Sequence, residues 1–140
     1  MKQEFIEAIY LLSTEEWEAI VANIPNVPVE LGNWWWLRTP GKKAREVSVV
    51  HRNGEFHEFA AWYGNGGVRP AFKVPQTITV GNALGTKINI EKLPCTIVGK
   101  DTVLSDVCVT THRFDELSND YDRSEICDFL KSKEFEKLLY

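Results

Sequence analysis

NWWWLRTPG, residues 33–41, sets three tryptophans in a row ahead of a leucine, an arginine and a Pro-Gly stop. A strand turns successive side chains to opposite faces. Trp34 and Trp36 therefore look one way and Trp35 the other, so the run cannot form one flat aromatic platform. The apolar stretch with its Pro-Gly end predicts a short buried strand over residues 34–38, with at least one of its faces in the core. Arg38, and Arg69 further on, are the arginines expected to pack against such rings. Guanidinium groups stack on aromatic faces and donate to loop carbonyls, which makes them structural clamps.

Upstream, Ser13 and Glu16 have the Ser-x-x-Glu spacing of a capping box. Trp17, Ile20, Val21 and Ile24 follow at helical spacing and are expected to share the inner face, with Pro25 and Pro28 ending the helix. Before it, FIEAIYLL fits either a strand or a helix, and the capping signal, which restarts the chain at Ser13, favours a strand around residues 9–12. Downstream, residues 46–52 and 55–62 alternate around Asn53-Gly54, predicting a type I′ hairpin with Arg52 opposite Glu55. YGNGG, residues 63–67, is a loop, and VRPAFKV continues from Val68 as one strand whose pairing Pro70 limits.

The second half reads as short strands broken at Gly81, Gly85, Pro94 and the 99–101 turn. Asp122 or Ser124 is expected to cap a helix with Ile126, Phe129 and Leu130 inward. Ser132 is expected to cap a last helix bearing Phe135, Leu138 and Leu139. Two or three helices with many short strands, and no βαβ alternation, predict an α+β class. The 140 residues suit a single domain, residues 1–140, with one sizeable core.

Charge and composition exclude several functions. The net charge is −4 and no segment gathers basic residues, so nucleic acid is not the expected partner; a protein surface, basic by preference, is. No window reaches the about 18 unbroken apolar residues of a membrane span, and the N-terminal stretch, interrupted by Glu4 and Glu7, does not read as a signal peptide. Three widely spaced cysteines, an odd count, and no glycosylation sequon point to a reduced, cytoplasmic setting.

Chemistry-bearing patterns are few. Cys108 and His112 have a ligand-like spacing, yet four residues along a strand span about 13 Å, so no metal is expected there. His51, His57 and His112 lack any nucleophile elbow or zinc-protease motif around them, and no catalytic residue is assigned. The glycines of YGNGGV have no following helix or Lys-Ser/Thr to form a phosphate cradle, so no cofactor is implied. The acidic run over residues 115–125 reads as a solvated helix entrance. The remaining candidates for binding are Trp34, Trp35, Trp62, Tyr63 and Asn65, around the aromatic run and the Gly-rich loop.

WWLRTPG (35–41) and GVRPAF (67–72), separated by an Asn-Gly hairpin, resemble a family of uncharacterised domains from Firmicutes and their phages with paired Trp-Leu-Arg-Ser-Pro-Gly and Gly-Val-Arg-Pro-Ala-Phe motifs. IYLLSTEEW (9–17) is similar to the segment preceding that pair. The resemblance implies a compact C-type-lectin-like fold, related to the formylglycine-generating-enzyme type. It also implies structural roles for Trp36, Arg38, Pro40, Gly67, Arg69 and Pro70. Residues 95–135 are similar to the family's opening segment, but here they follow the GVRPAF motif. The chain thus resembles a circular permutant, with residues 1–74 carrying the motifs, 75–87 as the new connection and 88–140 as the displaced half. Tyr140 is then expected near the N-terminal strand, or a dimer is expected to exchange halves.

Together these observations set the functional expectation as a non-enzymatic binding protein of phage or mobile-element origin, acting on a bacterial host or defence protein. The alternative is a glycan- or peptide-binding module, in the cytoplasm or on a virion.

Overall fold

The computed structural model describes residues 6–140 as an α+β fold of two five-stranded sheets with short helices packed around them. The first sheet runs β1 (Ala8–Tyr10), β6 (Ala71–Lys73), β9 (Thr102–Ser105), β8 (Leu93–Ile97) and β7 (Lys87–Ile90). The second runs β10 (Thr110–Thr111), β5 (Gly67–Val68), β2 (Trp35–Pro40), β3 (Glu46–Val50) and β4 (Phe56–Ala60). All pairings are antiparallel except β2 with β5, where Trp35 lies beside Gly67. The helices are α1 (Thr14–Asn23), α2 (Gln76–Thr79), α3 (Glu125–Leu130) and α4 (Lys133–Leu139), with a 3-10 turn at Tyr121–Arg123.

Strand alternation divides the core in two. Trp34 and Trp36 join Val47, Val49, Val68, Phe72 and the inner residues of α3 and α4. Trp35 and Leu37 join Trp17, Ile20 and Ile24 on the α1 side. Ala71 and Phe72 of β6, and Leu104 and Val103 of β9, split between the same two clusters. Each large residue buried this way contributes about 1.5–3 kcal/mol, so the two faces of the strands, rather than any surface contact, hold the domain together.

The capping box at Ser13 forms as the sequence predicts. The Ser13 hydroxyl accepts from the Glu16 amide at 3.1 Å, and the Ser13 amide donates to Glu16 Oε1 at 2.9 Å. Ser124 and Ser132 likewise cap α3 and α4. Two helical positions depart from expectation: Val21 and Leu138 are exposed. The seam taken up by Trp17, Ile20 and Ile24 is narrower than the full apolar stripe, and α4 buries only Phe135 and Leu139.

Three strand expectations are corrected. The β3–β4 hairpin pairs Val50 with Phe56, so His51 and not Arg52 lies opposite Glu55. Gly54 takes φ +88° while Asn53 does not enter positive φ, so the turn is a three-residue loop closed by the Gly54 amide on the His51 carbonyl rather than type I′. Asn53 acts through its side chain, accepting from the Glu55 amide at 3.0 Å.

The stretch from Val68 is not one strand. It divides at Arg69-Pro70, where the chain leaves the second sheet as β5 and enters the first as β6. Proline has no N–H for a ladder and a fixed φ, which suits such a corner. Pro94, expected to break a strand, lies inside β8. Its carbonyl accepts from the Asp106 amide, so its missing N–H falls one residue past the end of β9. The connection at 75–87 also contains a helical turn, α2.

Tyr140 and residues Ile6 to Ile9 line a common groove of about 230 Å³ between β1 and α4. The last residue therefore lies beside the first described strand.

Candidate functional site

The Trp run and the glycine loop are built around each other. The Gly67 amide donates to the Trp34 carbonyl at 3.0 Å, and the Trp36 indole N–H donates to the His112 carbonyl at 2.8 Å. Gly66 is a close-approach glycine, since a Cβ there would overlap the Trp36 indole and press on Trp34. Gly67 is similarly confined by Cys108 Sγ and the Trp34 carbonyl. These contacts pack Trp36 and Gly67 tightly against each other's neighbours inside the fold.

Both arginines act as clamps. Arg38 Nη1 donates to the Leu11 carbonyl and to Glu16 Oε1, each at 2.7 Å, while Nη2 donates to Glu16 Oε2 at 3.0 Å. Burial opposes ionisation of Glu16, but the bonds from Arg38 and the Ser13 amide outweigh it and hold the carboxyl below its usual value. Arg69 is fully buried, with its guanidinium carbon 4.8 Å from the Trp35 ring centre and 5.0 Å from that of Trp17. Its Nε donates to the Ser105 carbonyl at 2.7 Å, and among the described residues Nη1 and Nη2 have no partner. Desolvation lowers its pKa to about 10.

The same packing removes two of the five candidate binding residues. Trp35 has no exposed surface and Trp34 only 9%, because β2 and the residue before it lie between two cores. Neither can offer a ring face to a ligand. Trp62 and Tyr63 are 48% and 45% exposed, and Asn65 is exposed beside them.

The loop bearing these residues is tied down along its length. The Ala61 amide donates to the Arg45 carbonyl, and the Ala61 carbonyl accepts from both Phe114 and Asp115. The Tyr63 amide returns to the Ala60 carbonyl, and the Asn65 carbonyl accepts from the Asn33 side chain at 3.1 Å. Tyr63 packs on Trp34 and Phe59, and its ring stands 6.4 Å from that of Trp62 at 85°. Trp62 and Tyr63 thus stand at a right angle on a loop hydrogen-bonded at Ala61, Tyr63 and Asn65.

Sequence reasoning missed a second grouping. His51 and His57, distant in the chain's local pattern, meet across the hairpin with ring centres 4.6 Å apart, and both approach Phe59. Once the turn is read with His51 opposite Glu55, their placement on one face follows from two-residue periodicity. His112 lies elsewhere, stacked on Phe129 at 4.4 Å. Cys108 sits in a loop against Gly67, not on a strand as expected, and no three His, Cys, Asp or Glu side chains gather for a metal among the described residues. Burial pushes the Cys95 thiol up to about 12 and that of Cys108 to about 11. In the acidic run, Asp115 accepts from the Leu117, Ser118 and Glu125 amides, organising the entrance to α3.

A family model described as a domain of unknown function, DUF6273, matches residues 2–76. The chain belongs to the DUF6273 family. The match spans a little over half of the chain and contains the Trp run, the hairpin and the Arg69-Pro70 corner. No curated protein and no solved structure matches it. Both Trp62 and Tyr63 fall within the DUF6273 stretch, whereas His112 and the α3–α4 pair, which close one of the two cores, lie beyond it. No described helix is long and apolar enough to cross a membrane.

Proposed function

We propose that this DUF6273 protein is a non-enzymatic binding module that seats a protein partner against Trp62, Tyr63 and Asn65. The observation that carries the reading is the pairing of exposed rings with a hydrogen-bonded loop backbone. Two large rings are left half in water on a loop whose backbone is fastened at Ala61, Tyr63 and Asn65. Preorganised aromatic residues bind with little loss of conformational freedom and dominate many protein interfaces. The two rings stand at 85° to one another, so they offer separate faces and edges to a partner and not one flat platform.

Buried thiols with raised pKa values are the reverse of activated nucleophiles, which supports a non-catalytic role. The motif resemblance supports a C-type-lectin-like fold and a partner in a bacterial host, such as a defence protein met by a phage or mobile element.

The test is capture from bacterial lysate with the wild-type chain and the Trp62→Ala/Tyr63→Ala variant as baits. A stoichiometric protein retained by the first and lost by the second is the expected result. No such protein, or a tryptophan emission shift on adding sugars, overturns the reading, the latter in favour of a glycan module.

A further inference from the structure

The outer edge of β4 carries a second recognition feature. β4 ends its sheet, and its register fixes which residues face outward. The His51 amide donates to the Glu55 carbonyl at 2.7 Å, so Glu55, His57 and Phe59 direct their backbone groups toward β3. Phe56 and Glu58, between them, turn their N–H and C=O groups to the open side. An exposed row of this kind is a template for another strand.

The side chains of the same two residues enter a groove on the α1 side of the sheet. It is a shallow space of about 320 Å³, bordered by Thr14, Glu18, Thr39, Ser48, Phe56 and Glu58 among others. Phe56 is 44% exposed, and the lining holds two carboxylates and no lysine or arginine. Glu58 uses Oε1 to accept from the Lys42 amide at 2.9 Å, a bond that leaves its other oxygen available. An aromatic ring beside two acceptors suits a cation whose stem packs on the ring while its head meets the carboxylates.

We infer that an extended basic segment of a partner adds to β4 as a further strand, placing a Lys or Arg side chain between Phe56 and the Glu18 and Glu58 carboxylates. Main-chain bonds at Phe56 and Glu58 supply affinity, and the groove supplies the preference for charge. The inference rests on the binding-module reading and specifies the partner's chemistry. It agrees with the chain's net charge of −4.

An acetylated eight-residue peptide alternating Arg and Thr is the probe, compared with the same peptide carrying Gln for Arg. Affinity is measured by calorimetry, and backbone amides are followed by NMR. The Arg peptide is expected to bind about tenfold more tightly, with the gap closing in E18Q/E58Q and at high salt. Gln at 58 keeps the acceptor for the Lys42 amide, so the loop stays in place. The Phe56 and Glu58 amides are expected to gain exchange protection on binding. Equal affinity for the two peptides, or binding that leaves those amides unprotected, overturns the inference. If a captured partner is lost from the Trp62→Ala/Tyr63→Ala bait but held undiminished by E18Q/E58Q, the basic-strand inference fails while the binding-module reading stands.

Discussion

Arg69 places its guanidinium carbon 4.8 Å from the centre of the Trp35 ring, at a site with no solvent exposure. One charge-assisted bond, to the Ser105 carbonyl, and the two indoles are what it has to offset the loss of water. Such a site tolerates an apolar side chain better than a differently shaped cation. Arg69→Lys is expected to cost about 3–5 kcal/mol, since the ammonium is strongly hydrated and cannot stack or reach Ser105 in the same way. Arg69→Met, of similar length and uncharged, is expected to cost less than half of that. Urea unfolding of both variants checks the order, and a lysine variant as stable as the methionine one would contradict it.

Gly66 lies where its neighbours leave no room for a side chain. Gly66→Ala is expected to destabilise by about 1–3 kcal/mol through overpacking against Trp36 and Trp34, not through backbone strain. Gly64, where an added methyl group would meet nothing within 4 Å, is the control: Gly64→Ala is expected to change stability little. Thermal unfolding of the pair separates the steric cause from any general effect of losing a loop glycine.

Alkaline conditions load two of the three thiols, those of the buried Cys95 and the partly buried Cys108. Both have folded pKa values raised from 9.0, to about 11 for Cys108 and about 12 for Cys95, because burial disfavours the thiolate. The unfolded chain gives up these protons first. Stability is therefore fully present below pH 9 and falls as pH rises toward the folded values, at about 1.4 kcal/mol per pH unit for each thiol. Arg69 works in the opposite sense above about pH 10, where its folded form deprotonates before the unfolded one. The steepest loss is thus expected between pH 9 and 10. Cys108→Ala should flatten that part of the curve, measured as urea midpoint against pH.

The fold was legible wherever a local signal matched the packing that followed. Ser13 and Glu16 announced α1, and two-residue alternation divided Trp34 and Trp36 from Trp35. It failed where tertiary context chose between local options. Asn53-Gly54 is compatible with two turn lengths, and the longer one shifts the register by a residue, bringing His51 to His57. Nothing local to VRPAF shows that its halves belong to different sheets; Pro70 marks the corner but not the destination of the chain. The candidate site was half legible for the same reason. Trp62 and Tyr63 look no more exposed in the sequence than Trp34, and only the burial of β2 between two cores distinguishes them.

That contrast sets the spectroscopy of the protein. Four tryptophans, Trp17, Trp34, Trp35 and Trp36, are between 0% and 9% exposed, and Trp62 is 48% exposed. The emission is therefore expected to have a blue-shifted component that iodide does not reach and a red-shifted, quenchable one from Trp62 alone. Trp62→Phe should remove nearly all quenching by iodide while leaving the unfolding free energy within about 0.5 kcal/mol, the range for a surface change. Quenching that survives this substitution would mean that a second indole is open to water. A partner bound at Trp62 as proposed is expected to protect the same component, so its binding should appear as lost iodide quenching.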